Sequence, residues 1–209
     1  MLIQDNFMVP NIVLASSSRY RAQILRHLGM RFTIDPPNIN ENPLPGESPA
    51  DLCERLSYEK ARKIAQKYPS AYVIGSDQAA YCDGWHLPKP ENFETAVKYL
   101  THTQGKVINF FTGVCLRQVD KNICLKTSVL TSAHIKKLSA QTIEEYVSTD
   151  MPYDCAGGIR IEKMGICLLS KLETPDPTAV LGIPIISLIN FLEQCDAFTF
   201  PCKSILENI

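Results

Sequence analysis

Residues 11–28, NIVLASSSRYRAQILRHL, pass from a strand pattern to a helix pattern within a few positions. Ile12 to Ala15 is a short apolar run of strand type. Ser16, Ser17 and Ser18 follow, and then Ile24, Leu25 and Leu28 share one helical face, with Arg19, Arg21 and Arg26 largely off it. A serine at this junction caps the helix, because its hydroxyl satisfies an orphan backbone N–H of the first turn. A strand that delivers small polar residues to a helix N-terminus is also an anion site. Its exposed N–H groups and the helix dipole favour phosphate, and Arg21 can add a bidentate clamp. The same residues equally suit a plain capped helix with a basic surface.

Outward from this unit, Arg31 to Ile34 is a short strand, and the prolines of Asp35 to Pro43 keep a loop carrying Glu41 out of helix. Ser48-Pro49 opens a helix from about Ala50 to Lys67, with Arg55 and Lys60 on or beside it. Ala71 to Gln78 is an apolar strand that delivers Gly75, Ser76 and Asp77. The expectation is that Asp77 lies at a strand end, where open α/β sheets place their ligands. After a turn at Asp83-Gly84 comes Lys89, held between two prolines on a stiff loop, and then a helix from Glu91 to Leu100.

Gly105 to Val119 and Ile123 to Leu138 read as two long antiparallel strands turning at Asp120-Lys121-Asn122. Ser139 caps a helix to Val147. The loop Met151 to Gly165 holds Gly157-Gly158 and an isolated carboxylate, Glu162. Ile166 to Leu172 reads as a strand, Thr174 to Pro177 as a turn, and Pro184 to Gln194 as the last helix. Alternating strands and helices with one long hairpin predict a mixed α/β sheet, and no internal repeat is visible.

At 209 residues the chain suits a single domain, or two lobes sharing a cleft, with residues 1–10 and 201–209 as a peripheral leader and tail. A net charge of −1 and the lack of a basic stripe set aside nucleic-acid and anionic-membrane binding. The 8 cysteines are scattered, with no C-x-x-C and no zinc spacing. Without a signal peptide or a spanning apolar run, a cytoplasmic protein with reduced thiols is expected. The histidines (27, 86, 102 and 134) fall in no motif and read as structural or surface residues.

Taken together, the serines and arginine at the helix start, Glu41, Asp77 and Lys89 form a phosphate-handling set. Cations and N–H groups meet phosphates, and carboxylates serve a divalent metal or a water. Walker A, G-x-G-x-x-G and G-x-S-x-G motifs are all missing, which weighs against a P-loop NTPase, a dinucleotide enzyme and an α/β-hydrolase.

LASSSRYRAQIL, INENP, RLSYEKA, VIGSDQ, the lysine before Pro90, FFTGV, YDCAGGIRIE and DPTAVLGIPI, in that order, resemble the Maf family over about Ile12 to Leu192. The resemblance implies an inosine-triphosphatase-like α/β fold: an elongated mixed sheet with flanking helices and two lobes around a central cleft, often as a homodimer. It implies a nucleoside triphosphate pyrophosphatase that cleaves between the α and β phosphates with a divalent cation, Mg²⁺ or Mn²⁺. Asp77 would be the proton acceptor. Ser16, Ser18, Arg21, Lys60 and Lys89 would bind the phosphates, and Glu41 with Asp77 the metal. The family often has a proline and two arginines after the serines, whereas here the run is Ser18-Arg19-Tyr20-Arg21-Ala22, so the second arginine is missing.

Three positions that choose the base in this family correspond to Tyr20, Gln78 and Glu162. They are similar to the branch that hydrolyses 7-methyl-GTP; the dTTP/UTP branch carries arginine, threonine and glutamine instead. N7-methylguanine is cationic, so it stacks well on an aromatic ring and pairs well with a carboxylate. The alternatives are a pyrophosphatase for dTTP, UTP or a wider set of non-standard nucleotides, and a nucleotide-binding regulator of septum formation.

Overall fold

The computed structural model describes residues 11–198; the expected leader 1–10 and tail 201–209, with Cys202, lie outside the described residues. The elements are β1 (Ile12–Ala15), α1 (Arg19–His27), β2 (Thr33–Ile34), α2 (Pro49–Ala65), β3 (Tyr72–Cys82) and β4 (Trp85–His86). They continue with α3 (Phe93–Thr103), β5 (Val107–Gln118), β6 (Ile123–Ile135), α4 (Ala140–Asp150), β7 (Leu169–Glu173) and α5 (Ile185–Gln194). The strands form one 7-stranded sheet in the order β2-β1-β3-β5-β6-β7, with β4 paired to β3. β2, β1 and β3 run parallel, and β3, β5, β6 and β7 run antiparallel, so the sheet is mixed and elongated as expected. Parallel neighbours need crossovers, and α1 and α2 supply them.

Strand alternation divides the helices between the two faces. On one face α2 crosses the sheet, burying Leu56, Ala61 and Ile64 against Val13, Val73 and Ala79. Two glycines let it come close: a Cβ on Gly75 would overlap the carbonyl oxygen of Ser57, and one on Gly113 that of Cys53. The other face carries two separate cores. α1 and α5 pack Leu25, Leu188 and Leu192 on Leu14, Ile74 and Leu116. α3 and α4 pack Leu100, Ile143 and Val147 on Ile108, Phe110 and Ala133. These are the two lobes, and the cleft opens between them.

Several boundaries differ from the sequence reading, three of them beside the cleft or its lobes. β3 does not stop at Asp77: β5 pairs with it residue for residue from Val73 to Tyr81, which carries the strand well past β1. α3 starts later because Asn92 caps it through Thr95 N–H (2.8 Å), with Glu91 in the left-handed region at φ 64°. Residues 164–168 form a 3₁₀ turn in place of the start of β7, since Gly165 folds back onto Arg160, its N–H 3.0 Å from that carbonyl.

Candidate active site

At the start of α1 the structure selects Ser18 as the cap, its side chain accepting from Arg21 N–H. Ser16 Oγ then accepts from Ser18 N–H (3.1 Å) and from Arg21 Nη1 (3.0 Å), while Arg21 Nε donates to Gly182 O (2.7 Å). Arg21 is thus folded back over the mouth of the helix. Burial disfavours its charge, and the carboxylates of Asp77 and Glu41 oppose that effect. A guanidinium stays protonated in such surroundings.

β1 pairs with β3 only as far as Gly75, and β4 pairs with it only at Tyr81 and Cys82. Between them the edge of β3 has no strand partner, and the cleft lies there. Asp77 is therefore not at a strand end; it sits where the neighbouring strand ends. Adjacent side chains of a strand point to opposite faces. Asp77 meets α2, Gln78 faces the other side, and the open edge admits both to one cleft.

On the α2 side, the ammonium of Lys60 lies 2.5 Å from Asp77 Oδ1 and 2.8 Å from Glu41 Oε1. Lys60 is only 6% exposed, so this is a buried cation shared by two acids. Asp77 Oδ2 takes no hydrogen bond among the described residues. On the other side, Gln78 Nε2 donates to Thr112 Oγ1 (3.1 Å), Ala179 O (3.0 Å) and Val180 O (3.1 Å), which leaves Oε1 as its free acceptor. Ser76 Oγ is 2.8 Å from Gly182 O. The segment that supplies these carbonyls is itself pinned: buried Asp176 accepts from Thr178 Oγ1 (2.8 Å) and from Ile186 N–H (2.8 Å), capping α5.

Towards the α3–α4 lobe a second group forms around Asp154. Tyr20 OH donates to both of its oxygens (3.0 and 3.1 Å), and Arg160 Nη2 to Oδ1 (2.9 Å). Burial pushes the Tyr20 hydroxyl up to about 12, and its bond to Asp154 adds to that. Burial alone would raise Asp154, but the bonds from Tyr20 and Arg160 and the charges of Arg19 and Arg160 hold it below the usual range. Glu162 approaches Arg160 Nε at 3.9 Å. Lys89 stands exposed on the rim with no ion pair or hydrogen bond among the described residues.

The cleft holds about 890 Å³ and is lined by Ser16, Ser18, Tyr20, Arg21, Glu41, Lys60, Asp77, Gln78, Lys89 and Glu162 alike, so every residue singled out from sequence comes to one place. That volume suits a nucleotide. Sequence reasoning missed Asp154 and Arg160, which sit inside the quoted YDCAGGIRIE segment, and it took His86 for a structural or surface residue. His86 is exposed on β4, in keeping with that reading, and it also lines the cleft, its ring stacked on Tyr81 at 4.8 Å and its pKa lowered by partial burial. Among the described residues no group of three or more His, Cys, Asp or Glu is placed to hold a metal ion. Nor is any helix there long and apolar enough to cross a membrane.

The chain has relatives among known proteins. The chain is 42% identical over 185 residues to the 7-methyl-GTP pyrophosphatase of Colwellia psychrerythraea, covering 88% of this chain and 92% of that one. It is 39% identical over 194 residues to the 7-methyl-GTP pyrophosphatase of Xanthomonas campestris, covering 93% and 100%. Among solved structures, a HAM1 protein from Coxiella burnetii aligns with a TM-score of 0.40 at 16% identity, over 60% of this chain and 73% of that one. The profile of the Maf-like proteins matches residues 11–195, and the chain belongs to that family.

Proposed function

We propose that the chain hydrolyses 7-methyl-GTP between its α and β phosphates, giving the monophosphate and pyrophosphate. The observation that carries this is the buried Lys60 ammonium held between Asp77 and Glu41, beside the anion site of Ser16, Ser18 and Arg21. Asp77 Oδ2 takes a proton from water, the water oxygen bonds to the α-phosphorus, and the bridging oxygen departs with pyrophosphate. Arg21, Lys60, Lys89 and the α1 N–H groups stabilise the negative charge on the phosphates. The relatives named 7-methyl-GTP pyrophosphatase support the substrate.

The charges of the cleft support the cofactor and the base. Its basic side chains are Arg19, Arg21, Lys60 and Lys89; its acids are Glu41, Asp77, Glu91, Asp154 and Glu162. Acids outnumber bases by one, so a triphosphate needs further positive charge. Glu41 and Asp77 already share one cation, and two carboxylates with phosphate oxygens make a donor set that suits Mg²⁺ or Mn²⁺. When bound there, such an ion neutralises phosphate charge and polarises the bond to be broken. The base adds one more positive charge: N7-methylguanine is a cation, which Tyr20 stacks and Glu162 pairs with, while Gln78 Oε1 offers an acceptor.

A cytoplasmic homodimer belongs to the same proposal. The described cysteines are all free, which suits a reducing compartment, and a molar mass of two chains by light scattering in solution is the expected result. The test of function is pyrophosphate release with Mg²⁺ or Mn²⁺ from 7-methyl-GTP, GTP, dTTP, UTP, CTP and ITP. Preference for 7-methyl-GTP, lost by more than about a hundredfold in Asp77→Asn, is the expected result. Preference for dTTP or UTP would overturn the base assignment, and no turnover at all would overturn the enzyme.

A further inference from the structure

We propose that Arg19 is a built-in stand-in for the substrate's base. Its guanidinium occupies a cation subsite made by the Tyr20 ring and the Asp154 carboxylate, and the nucleotide must displace it. The inference rests on the 7-methyl-GTP reading above and adds to it two residues, Arg19 and Asp154.

The two oxygens of Asp154 are used differently. Oδ1 is held by Arg160, a guanidinium only 7% exposed, whose Nη1 also donates to Asp150 O (2.8 Å) and whose Nη2 lies 3.3 Å from Met151 O. That contact is fixed. Oδ2 is held by Arg19 Nη2 at 2.9 Å, and Arg19 is 69% exposed. The same nitrogen donates to Tyr20 OH at 2.9 Å, and Arg19 Cζ lies 5.0 Å from the centre of the Tyr20 ring. Arg19 makes no other hydrogen bond among the described residues, and an exposed ion pair of this kind is weak. Asp154 thus keeps one permanent cation and one exchangeable cation beside an aromatic ring that lines the cleft.

A flat cationic base matches what Arg19 provides: positive charge for Oδ2 and a delocalised face for the ring. A neutral guanine stacks on Tyr20 but leaves Oδ2 with the Tyr20 hydroxyl alone and no cation. Every nucleotide meets Arg19 as a competitor, which lowers affinity for all of them, and only a cationic base restores the charge beside Oδ2, so the preference for a cation comes from Asp154. The position following Ser18, where the family often has proline, thereby acquires a role distinct from phosphate binding.

The nucleosides 7-methylguanosine and guanosine, which carry no phosphate, test this by calorimetric titration of the wild type, Arg19→Gln and Asp154→Asn. Arg19→Gln should bind both nucleosides more tightly, by roughly three- to fivefold for the cationic one, and lower the KM for 7-methyl-GTP in parallel. Asp154→Asn should bring the two nucleosides to similar affinity, with a thermal melt reporting its folding separately. Unchanged or weaker nucleoside binding in Arg19→Gln, with poorer KM for 7-methyl-GTP and GTP alike, would make Arg19 a phosphate ligand and overturn the proposal. A wild type that prefers another triphosphate yet binds 7-methylguanosine over guanosine, more tightly in Arg19→Gln, would overturn the substrate assignment and leave the subsite standing.

Discussion

At the scale of single residues, Lys60 sets the character of the site. A lysine ammonium removed from water is costly unless it is paired, and here it is paired twice, at 2.5 and 2.8 Å. Replacing it by methionine leaves Asp77 and Glu41 facing each other without a counter-charge. We expect Lys60→Met to cost about 2–3 kcal/mol in urea denaturation, below the range for a fully buried pair because Glu41 reaches solvent. Turnover should fall with it. The double variant Lys60→Met, Asp77→Asn should regain part of the stability and none of the activity, which separates the structural from the chemical role. The sequence held the clue to Lys60. Leu56, Lys60 and Ile64 recur every four residues, so the lysine stands in the apolar stripe of α2 instead of on its solvated face. Asp154 gave no such clue, because its importance comes from Tyr20 and Arg160 reaching it from elsewhere in the fold.

At the scale of elements, the seating of α2 on the sheet decides whether Lys60 reaches Asp77. Gly113 is the direct cross-strand partner of Asp77, and a Cβ there would overlap the carbonyl of Cys53. Gly113→Ala should therefore lift α2, at a cost of about 1–3 kcal/mol for overpacking, and reduce turnover by separating Lys60 from Asp77. Gly46→Ala is the contrast: its φ of 74° strains an L residue, but open space surrounds it. That change should cost about 1 kcal/mol and leave pyrophosphate release as it was. Most elements were legible, because Ser18, Ser48 and Ser139 stand before helical periods and alternation marks the β5–β6 hairpin. What sequence did not disclose was relative length. Nothing local tells β3 to outrun β1, yet that mismatch opens the edge where Asp77 and Gln78 meet one cleft.

At the scale of the whole molecule, apolar layers hold the sheet while ion pairs hold the walls of the cleft, and acid acts on the second kind of contact. The clearest case is the wall that carries Glu41 and Pro43. Glu47 receives Arg55 Nε at 2.6 Å and Nη2 at 2.9 Å, and it also accepts Leu44 N–H at 2.9 Å, which ties this loop to α2. The bond from Arg55, opposed by burial and helped by Leu44, brings the Glu47 carboxyl down to about 2 from an ordinary 4.5. A depressed carboxylate stabilises the fold in full above its unfolded value. As pH falls below about 4.5 the unfolded chain takes up the proton first, and the contribution declines until pH reaches about 2. Wild-type stability to urea should therefore drop steeply between those limits, with Asp154 adding in the same direction. In Glu47→Gln the drop over that window should be shallower and the stability at neutral pH lower, so the two curves converge as the solution is acidified. Parallel curves across the window would show that the Glu47–Arg55 pair does not couple this wall of the cleft to the fold.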